Sequence, residues 1–435
     1  MDITNGKAVS NLARWNFWLM STAVIVYFFV NFQRSAIPGT IFNELQSSFN
    51  ATAGQVTLIS AAFMYVYAAT QLLAGLATDK FGGVRVIIVS GLLFVAGSMI
   101  SPLCGNLGIL LFSRVLVGLG AGGIYLAIVK ELDRLYPEKF TALLGAIILL
   151  GYSGSIFGGL PLSKAVAVIS WRKVLILVAV LSLLAYIGFI YCRKHIKLPE
   201  IRKERISLKP FWIVLASSDN RWLLISGGVG YTVYYLMLAI VGKKVLEDVC
   251  GTAPAVAGAC LSLMVVVSGG MNFLNGYLST RWGNVRKPFM IGSFTVAVIG
   301  TLMGLIGLQI NAGTAYFFAV MLFIAASAGF SSISNSLVRE YTPSQYTGSG
   351  TSVINCVAYL GVAVVGNLAG YLMEFFGRGK VVITENARIY PVSSYEAIFI
   401  LSLIISVVAL AGTFKLKETY GKNICKQDSE SKGEL

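Results

Sequence analysis

Long apolar runs alternate with short polar breaks twelve times along the chain. The runs fall at 15–38, 57–76, 86–103, 107–129, 141–160 and 174–191, then at 222–241, 255–278, 289–308, 314–334, 350–373 and 397–414. A helix rises about 1.5 Å per residue, so about 20 apolar residues cross a hydrocarbon layer about 30 Å thick. The pattern therefore predicts an all-α membrane protein with twelve transmembrane helices. The longest break, 192–221, divides six spans from six. The expected organisation is an N-terminal six-helix bundle over 1–192, a basic linker over 193–221, a C-terminal six-helix bundle over 222–414 and a tail over 415–435.

Composition agrees with the pattern. Hydrophobic residues make up 56% of 435, about 244, and twelve spans of about 20 consume about 240 of them. Charged residues are only 12%, roughly half the soluble norm of about 25%, and the mean hydropathy is +0.76. A soluble enzyme, a disordered chain and a nucleic-acid binder are excluded. The net charge of +15 reports topology instead. With the N-terminus cytoplasmic, the cytoplasmic segments hold 24 of the 34 Lys and Arg, the outer segments 8 and the spans 2. Excess basic charge marks the cytoplasmic side, so both termini and the linker are expected there. The linker, rich in Lys and Arg, is expected to lie along anionic lipid, and its His195 to be solvated or lipid-facing. The six cysteines form no CxxC pair, so neither a metal site nor a disulfide framework is expected.

The two halves repeat a short glycine and basic turn. After the second run stand Gly75, Leu76, Asp79, Lys80, Gly82 and Arg85, and after the eighth stand Gly276, Thr280, Arg281, Gly283 and Arg286. The frames lie 201 residues apart, 276 against 75. Such a repeat of six spans is the mark of a transporter built from two related bundles.

These residues resemble the signature of the major facilitator superfamily of secondary transporters, G-x-L-x-D-x-x-G, which Gly75, Leu76, Asp79, Gly82 and Arg85 match. A second signature is matched in span four by Arg114, Gly118, Gly120 and Gly122, and a third by the pair Trp171 and Arg172 opening span six. The resemblance covers essentially the whole chain and implies two pseudo-symmetric six-helix bundles. The first two spans are similar to the organic-anion branches, the anion:cation symporters and organophosphate antiporters, on the run from Tyr27 to Arg34 and on Phe63, Tyr65, Tyr67 and Gln71. The Gly-Pro pair of drug/proton antiporters is absent after Gly154 and Gly158. The resemblance implies residence in a bacterial inner membrane and function as a monomer.

An ionisable group inside the bilayer is costly, about 2.5 to 3.5 kcal/mol at a helix centre, and so is a functional candidate. Only Arg34 and Arg114 fall well inside the apolar runs. Arg34 offers a planar fork for carboxylate or phosphate; the alternative is an arginine snorkelling outward. Arg114 is a weaker substrate candidate, since its position in the family often carries a structural or proton-coupling arginine. Polar and aromatic residues at helical spacing extend the set of substrate candidates to Tyr67, Gln71, Tyr152, Tyr235, Asn272 and Asn355. All nineteen Asp and Glu lie outside or at the ends of the runs. Proton coupling would then need a helix-end acid such as Glu44 or Glu131, and facilitated diffusion or exchange of anions stands beside it. A cytoplasmic gate is expected from Gly75, Asp79, Gly82, Arg85 and Asp133 in the first half and Arg281, Arg286 and Glu340 in the second, with charge pairs latching the inner side. No nucleotide-binding loop GxxxxGK[ST] occurs, so direct ATP drive, a cofactor and enzymatic activity are not expected. The expected partners are a small solute, most simply anionic, with a coupled proton or an exchanged anion, and membrane lipid. Competing readings are efflux of amphipathic compounds and a sensor that has lost turnover.

Overall fold

The computed structural model describes residues 3–136, 140–196, 198, 201, 209–343, 346–384 and 387–424. Twelve helices among them are long and apolar enough to span a membrane: α1 Ala13–Thr40, α2 Ala53–Phe81, α3 Gly83–Leu103, α4 Leu107–Leu135, α5 Leu143–Val168 and α6 Trp171–Arg193, then α7 Ser218–Cys250, α8 Pro254–Arg281, α9 Lys287–Gln309, α10 Thr314–Tyr341, α11 Thr347–Gly377 and α12 Val392–Phe414. Each expected run is a helix. The basic stretch 202–208 of the linker and the tail beyond 424 lie outside the described residues.

Local chemistry sets the helix ends. At the start of α2, Thr52 Oγ1 accepts from Gln55 N while Gln55 Oε1 accepts from Thr52 N, a reciprocal cap that meets two otherwise orphaned donors. Asn106 Oδ1 caps α4 by accepting from Ile109 N at 2.9 Å. The pair Trp171 and Arg172 also terminates a neighbour, because Arg172 Nη1 donates to the carbonyls of Pro102 and Cys104 at the end of α3. Two spans are broken. In α1 the backbone leaves helical geometry at Ile37 (φ −118°, ψ 115°), just before Pro38, which has no N–H to give. α10 is interrupted at Ala328 and Gly329, between its segments Thr314–Ser327 and Phe330–Tyr341.

Within the first half α1 packs on α5 and α6, and α3 and α2 pack on α4; within the second, α9 packs on α10 and α12, and α8 on α10. The halves meet along α2 with α11, along α5 with α8, and at α1 with α7. Exchanging each helix for its counterpart six later maps the first two of these seams onto each other, which is the two-fold pseudo-symmetry of paired bundles. The four helices that flank the arrangement, α3, α6, α9 and α12, expose Leu92, Leu184, Ile306 and Ile404. Outward apolar side chains are what a hydrocarbon solvent requires, since lipid offers polar groups no partner. Between α11 and α12 a two-stranded antiparallel ribbon pairs β1, Val382–Ile383, with β2, Arg388–Ile389.

Candidate functional site

The space between the bundles opens on the face that carries the 75–85 turn, here called the basic face. A vestibule of about 1080 Å³ is lined there by Gly75, Asp79, Lys130 and Asp133 from the first bundle and by Arg286, Arg339, Glu340 and Ser352 from the second. Deeper lies a chamber of about 100 Å³ lined by Tyr152, Tyr231, Ser334, Asn335, Asn355 and Tyr359.

Arg34 sits at this depth, only 5% exposed. Its Nη1 donates to the Tyr359 hydroxyl of the other bundle at 2.9 Å and its Nη2 to Asn31 Oδ1 at 2.6 Å. Its guanidinium carbon stands 5.9, 5.5 and 5.7 Å from the ring centres of Tyr152, Tyr235 and Tyr359, within reach of cation–π attraction. Tyr67 meets Tyr359 edge-on at 4.7 Å. Among the described residues no carboxylate pairs with Arg34, and its Nε has no hydrogen-bond partner. The snorkelling alternative does not describe this side chain, because its tip points between the bundles and not along the helix to an interface.

Arg114 is fully buried. Its Nη2 donates to the carbonyls of Gln33 and Ile37 at 3.4 Å, oxygens exposed where α1 leaves helical geometry, and its guanidinium covers the Phe63 ring at 4.5 Å. It thus mends the break in α1, while its Nε and Nη1 have no partner. Gln71 ties α2 to α4 by donating to Gly122 O at 3.2 Å. Asn272, expected in the cavity, is placed elsewhere: its Nδ2 donates to Ala328 O at 3.1 Å and its Oδ1 accepts from Ser332 N at 2.9 Å. Both ends of the carboxamide serve the interruption of α10, so none is left for a solute. The structure therefore brings Arg34, Tyr67, Tyr152, Tyr235 and Asn355 together and keeps Asn272 apart.

At the basic face the charges pair within each bundle. Asp79 accepts from Lys130 at 2.7 Å. Arg85, expected with Asp79 in the gate, donates to the Phe81 carbonyl at 2.9 Å. Gly82 takes φ 81° to turn the chain, and a Cβ on Gly83 would lie 2.3 Å from Ala127 O, so the turn admits α4 only with glycine there. Glu131, 1% exposed, caps the start of α3 by accepting from Val84 N at 3.1 Å and holds Arg134 at 2.6 Å. In the second half Arg286 meets Glu340 at 3.0 Å, and Glu340 also accepts from the Thr419 hydroxyl. Arg281 departs from the expected gate: it is exposed, donates to the Tyr277 hydroxyl at 3.3 Å and does not line the vestibule. Its side chain follows its own helix, bonding one turn back to Tyr277.

The opposite face is closed. α7 continues nine residues beyond its apolar run and carries Lys243 and Lys244, 2% and 0% exposed. Lys243 donates to the Thr40 carbonyl across the seam and pairs with Glu247 at 3.3 Å; Asn43 donates to Glu247 at 2.7 Å, again across the seam. Lys244 pairs with Asp248 at 2.8 Å and donates to Arg388 O at 2.6 Å. Gly39 lets α1 lie on α7, since a Cβ there would stand 2.9 Å from the Ala239 backbone. At the edge of this seal the Tyr390 hydroxyl accepts from Ala53 N at 2.9 Å and donates to Glu374 at 2.6 Å. Burial, reinforced by that carboxylate, pushes the Tyr390 phenol well above its usual range, so it stays a donor. The sequence reading missed this cluster because it lies past the apolar run. The available signal was the i, i+4 spacing of Lys243 with Glu247 and of Lys244 with Asp248.

The comparisons with known proteins agree with this architecture. The sequence profile of the Major Facilitator Superfamily matches residues 23–246 and again 223–431. The riboflavin transporter RibZ of Clostridioides difficile is 20% identical over 464 residues, covering 92% of this chain and 98% of RibZ. A Cupriavidus necator protein named as a probable sulfoacetate transporter, SauU, is 29% identical over 143 residues, which span 32% of this chain and a third, 33%, of SauU. The crystal structure of a bacterial homologue of the human lysosomal transporter Spinster, inward-facing and unoccupied, superposes with a TM-score of 0.70 at 14% identity over 92% of this chain and 96% of that one. With a profile match over both halves and twelve spans arranged in paired bundles, this chain belongs to the Major Facilitator Superfamily and is an integral, multi-pass membrane transporter of a small molecule, not an enzyme.

Proposed function

We propose that this transporter carries a small organic anion by alternating access, rocking a bundle over 1–192 against one over 222–414 about a site anchored on Arg34. The observation that carries this reading is a buried guanidinium at the seam that has, among the described residues, no carboxylate partner and no partner for its Nε. A fixed positive charge held by tyrosines and an asparagine is preorganised for a carboxylate, sulfonate or phosphate. SauU, named for the organic anion sulfoacetate, and the likeness of the first two spans to the organic-anion branches support it. The excess of Lys and Arg on the open face supports a cytoplasmic placement of that face and of both termini, in a bacterial inner membrane. The structure is then inward-facing, with the charges around Asp79 and Arg286 available to latch across the vestibule when it closes. The described midplane offers no acid or histidine, which favours anion exchange or facilitated diffusion over a proton carried by the protein.

A second reading, export of amphipathic aromatic compounds, is favoured by the tyrosines around Arg34 and by RibZ, whose named substrate is aromatic. Flux in proteoliposomes separates the two. Uptake of labelled carboxylates, sulfonates or phosphates that vanishes in Arg34→Ala is expected. Transport of cationic dyes, with no anion flux, would overturn the anion reading.

A further inference from the structure

The chamber beside Arg34 is lined unequally by the two bundles. The first bundle brings charge and aromatic faces, Arg34 through its bond to Tyr359 and the ring of Tyr152. The second brings the rings of Tyr231 and Tyr359 and, beside them, neutral groups that both give and take hydrogen bonds. Ser331, Ser334 and Asn335 share one face of α10 by their spacing of three and four, and Asn355 lies one turn before Tyr359 on α11. Ser334 is 4% exposed, yet its Oγ has no partner among the described residues. Asn335, exposed, and Asn355, half-buried, line the same chamber, and their carboxamides make no hydrogen bond among the described residues. Buried polar groups are nearly always paired, and leaving one unmet costs about 1 to 3 kcal/mol. One unmet buried hydroxyl and two carboxamides without partners on the same wall, next to a guanidinium that bonds only neutral groups among the described residues, make a surface able to take a ligand's polar groups.

Which chemistry fills it follows from the donors and acceptors. A serine hydroxyl and an asparagine carboxamide can each donate and accept, so they match an alcohol, which does the same. A second carboxylate could only accept, and an alkyl chain would leave all of them unmet. We propose that Ser334, Asn335 and Asn355 form a hydroxyl-recognising subsite, so that the transported anion is a hydroxylated organic acid: its acid group meets Arg34 and its hydroxyls meet α10 and α11. The rings of Tyr152 and Tyr231 supply flat apolar walls for the C–H faces of such a molecule. This inference rests on the anion reading above and names its substrate class.

The test compares matched pairs on the purified full-length protein: glycerate against propionate, threonate against butyrate and gluconate against hexanoate, with erythritol and sorbitol as uncharged controls. Equilibrium binding should favour the hydroxylated acid at least about ten-fold in one or more pairs, since a site built to bond a hydroxyl rejects the analogue that lacks it. The polyols alone should not bind. Ser334→Ala and Asn355→Leu should each shrink that preference, read as the ratio of the two affinities within a pair, relative to wild type. Acids that bind with no preference for the hydroxylated member of any pair would overturn the subsite and leave the anion reading intact. If no acid of either kind binds, the anion reading fails, and the subsite with it. The wild-type comparison decides between these outcomes even if a variant fails to fold.

Discussion

At the scale of single residues, Arg34 and Arg114 show how environment separates two buried guanidiniums. Arg114 is bound to carbonyls that α1 exposes where it breaks, whereas Arg34 reaches across the seam to a tyrosine of the other bundle. If Arg34 holds the substrate's acid group, Arg34→Lys keeps the charge but loses the fork, and Arg34→Ala loses both. Breaking a desolvated, hydrogen-bonded charge pair costs about 2 to 5 kcal/mol, so Arg34→Ala should weaken substrate binding at least about thirty-fold. Arg34→Lys should fall between the two. Equal affinity in all three forms, each shown to fold, would reduce Arg34 to a structural link between bundles. Asp79 behaves differently. Its pair with Lys130 is largely exposed, with side chains 65% and 38% accessible, and such pairs contribute about 0 to 1 kcal/mol. Asp79→Asn should therefore leave thermal stability nearly unchanged but slow transport, because its charge is needed only when the vestibule closes. Unchanged turnover in proteoliposomes would sink the latch.

Among the elements, α7 links the chamber to the seal. Tyr235 packs beside Arg34, and two to three turns further along the same helix Lys243 and Glu247 hold α1 shut through Thr40 and Asn43. Lysines at 0 to 2% exposure persist only because each has an acid four residues on and a carbonyl to satisfy it. Glu247→Gln removes the charge that balances Lys243 and keeps the shape. It should shift the population toward an outward-open arrangement, lengthening the distance between spin labels at Ser47→Cys and Lys380→Cys, both exposed on the sealed face. A distance distribution identical to that of the otherwise wild-type labelled pair would show that the charges do not hold the seal.

For the molecule as a whole, twelve spans place the beginning of α1 and the end of α12 on one face, and the proposed cytoplasmic placement of that face rests on its excess of basic charge. A cysteine introduced as Ile201→Cys, at an exposed linker position, should react with a membrane-impermeant maleimide in inverted vesicles and not in intact cells. Labelling from outside would reverse the orientation. The same geometry makes the two faces unequal in this structure: the basic face is open by about 1080 Å³, while the other is closed by charge pairs and by backbone contact at Gly39. Alternating access would exchange these conditions, and the seams of α2 with α11 and α5 with α8 are the surfaces on which the bundles would pivot.

The number of spans, the split into halves and the glycine turns at Gly82 and Gly283 could all be read from the chain, because apolar length and a repeated turn are local properties that lipid enforces on each helix separately. Arg34 was legible for the same reason, since a charge in an apolar run stands out without knowledge of its neighbours. The partners were not. That Asp79 takes Lys130 while Arg85 donates to the Phe81 carbonyl, that Asn272 mends α10 instead of facing a solute, and that Arg281 stays outside the vestibule depend on which helix lies opposite. The cluster at Lys243 and Glu247 lay beyond the apolar run, where hydropathy gives no reason to expect burial. Hydropathy decides what enters the membrane; only packing between bundles decides which polar groups are paired there, which remain free for a solute, and which face of the pathway is closed.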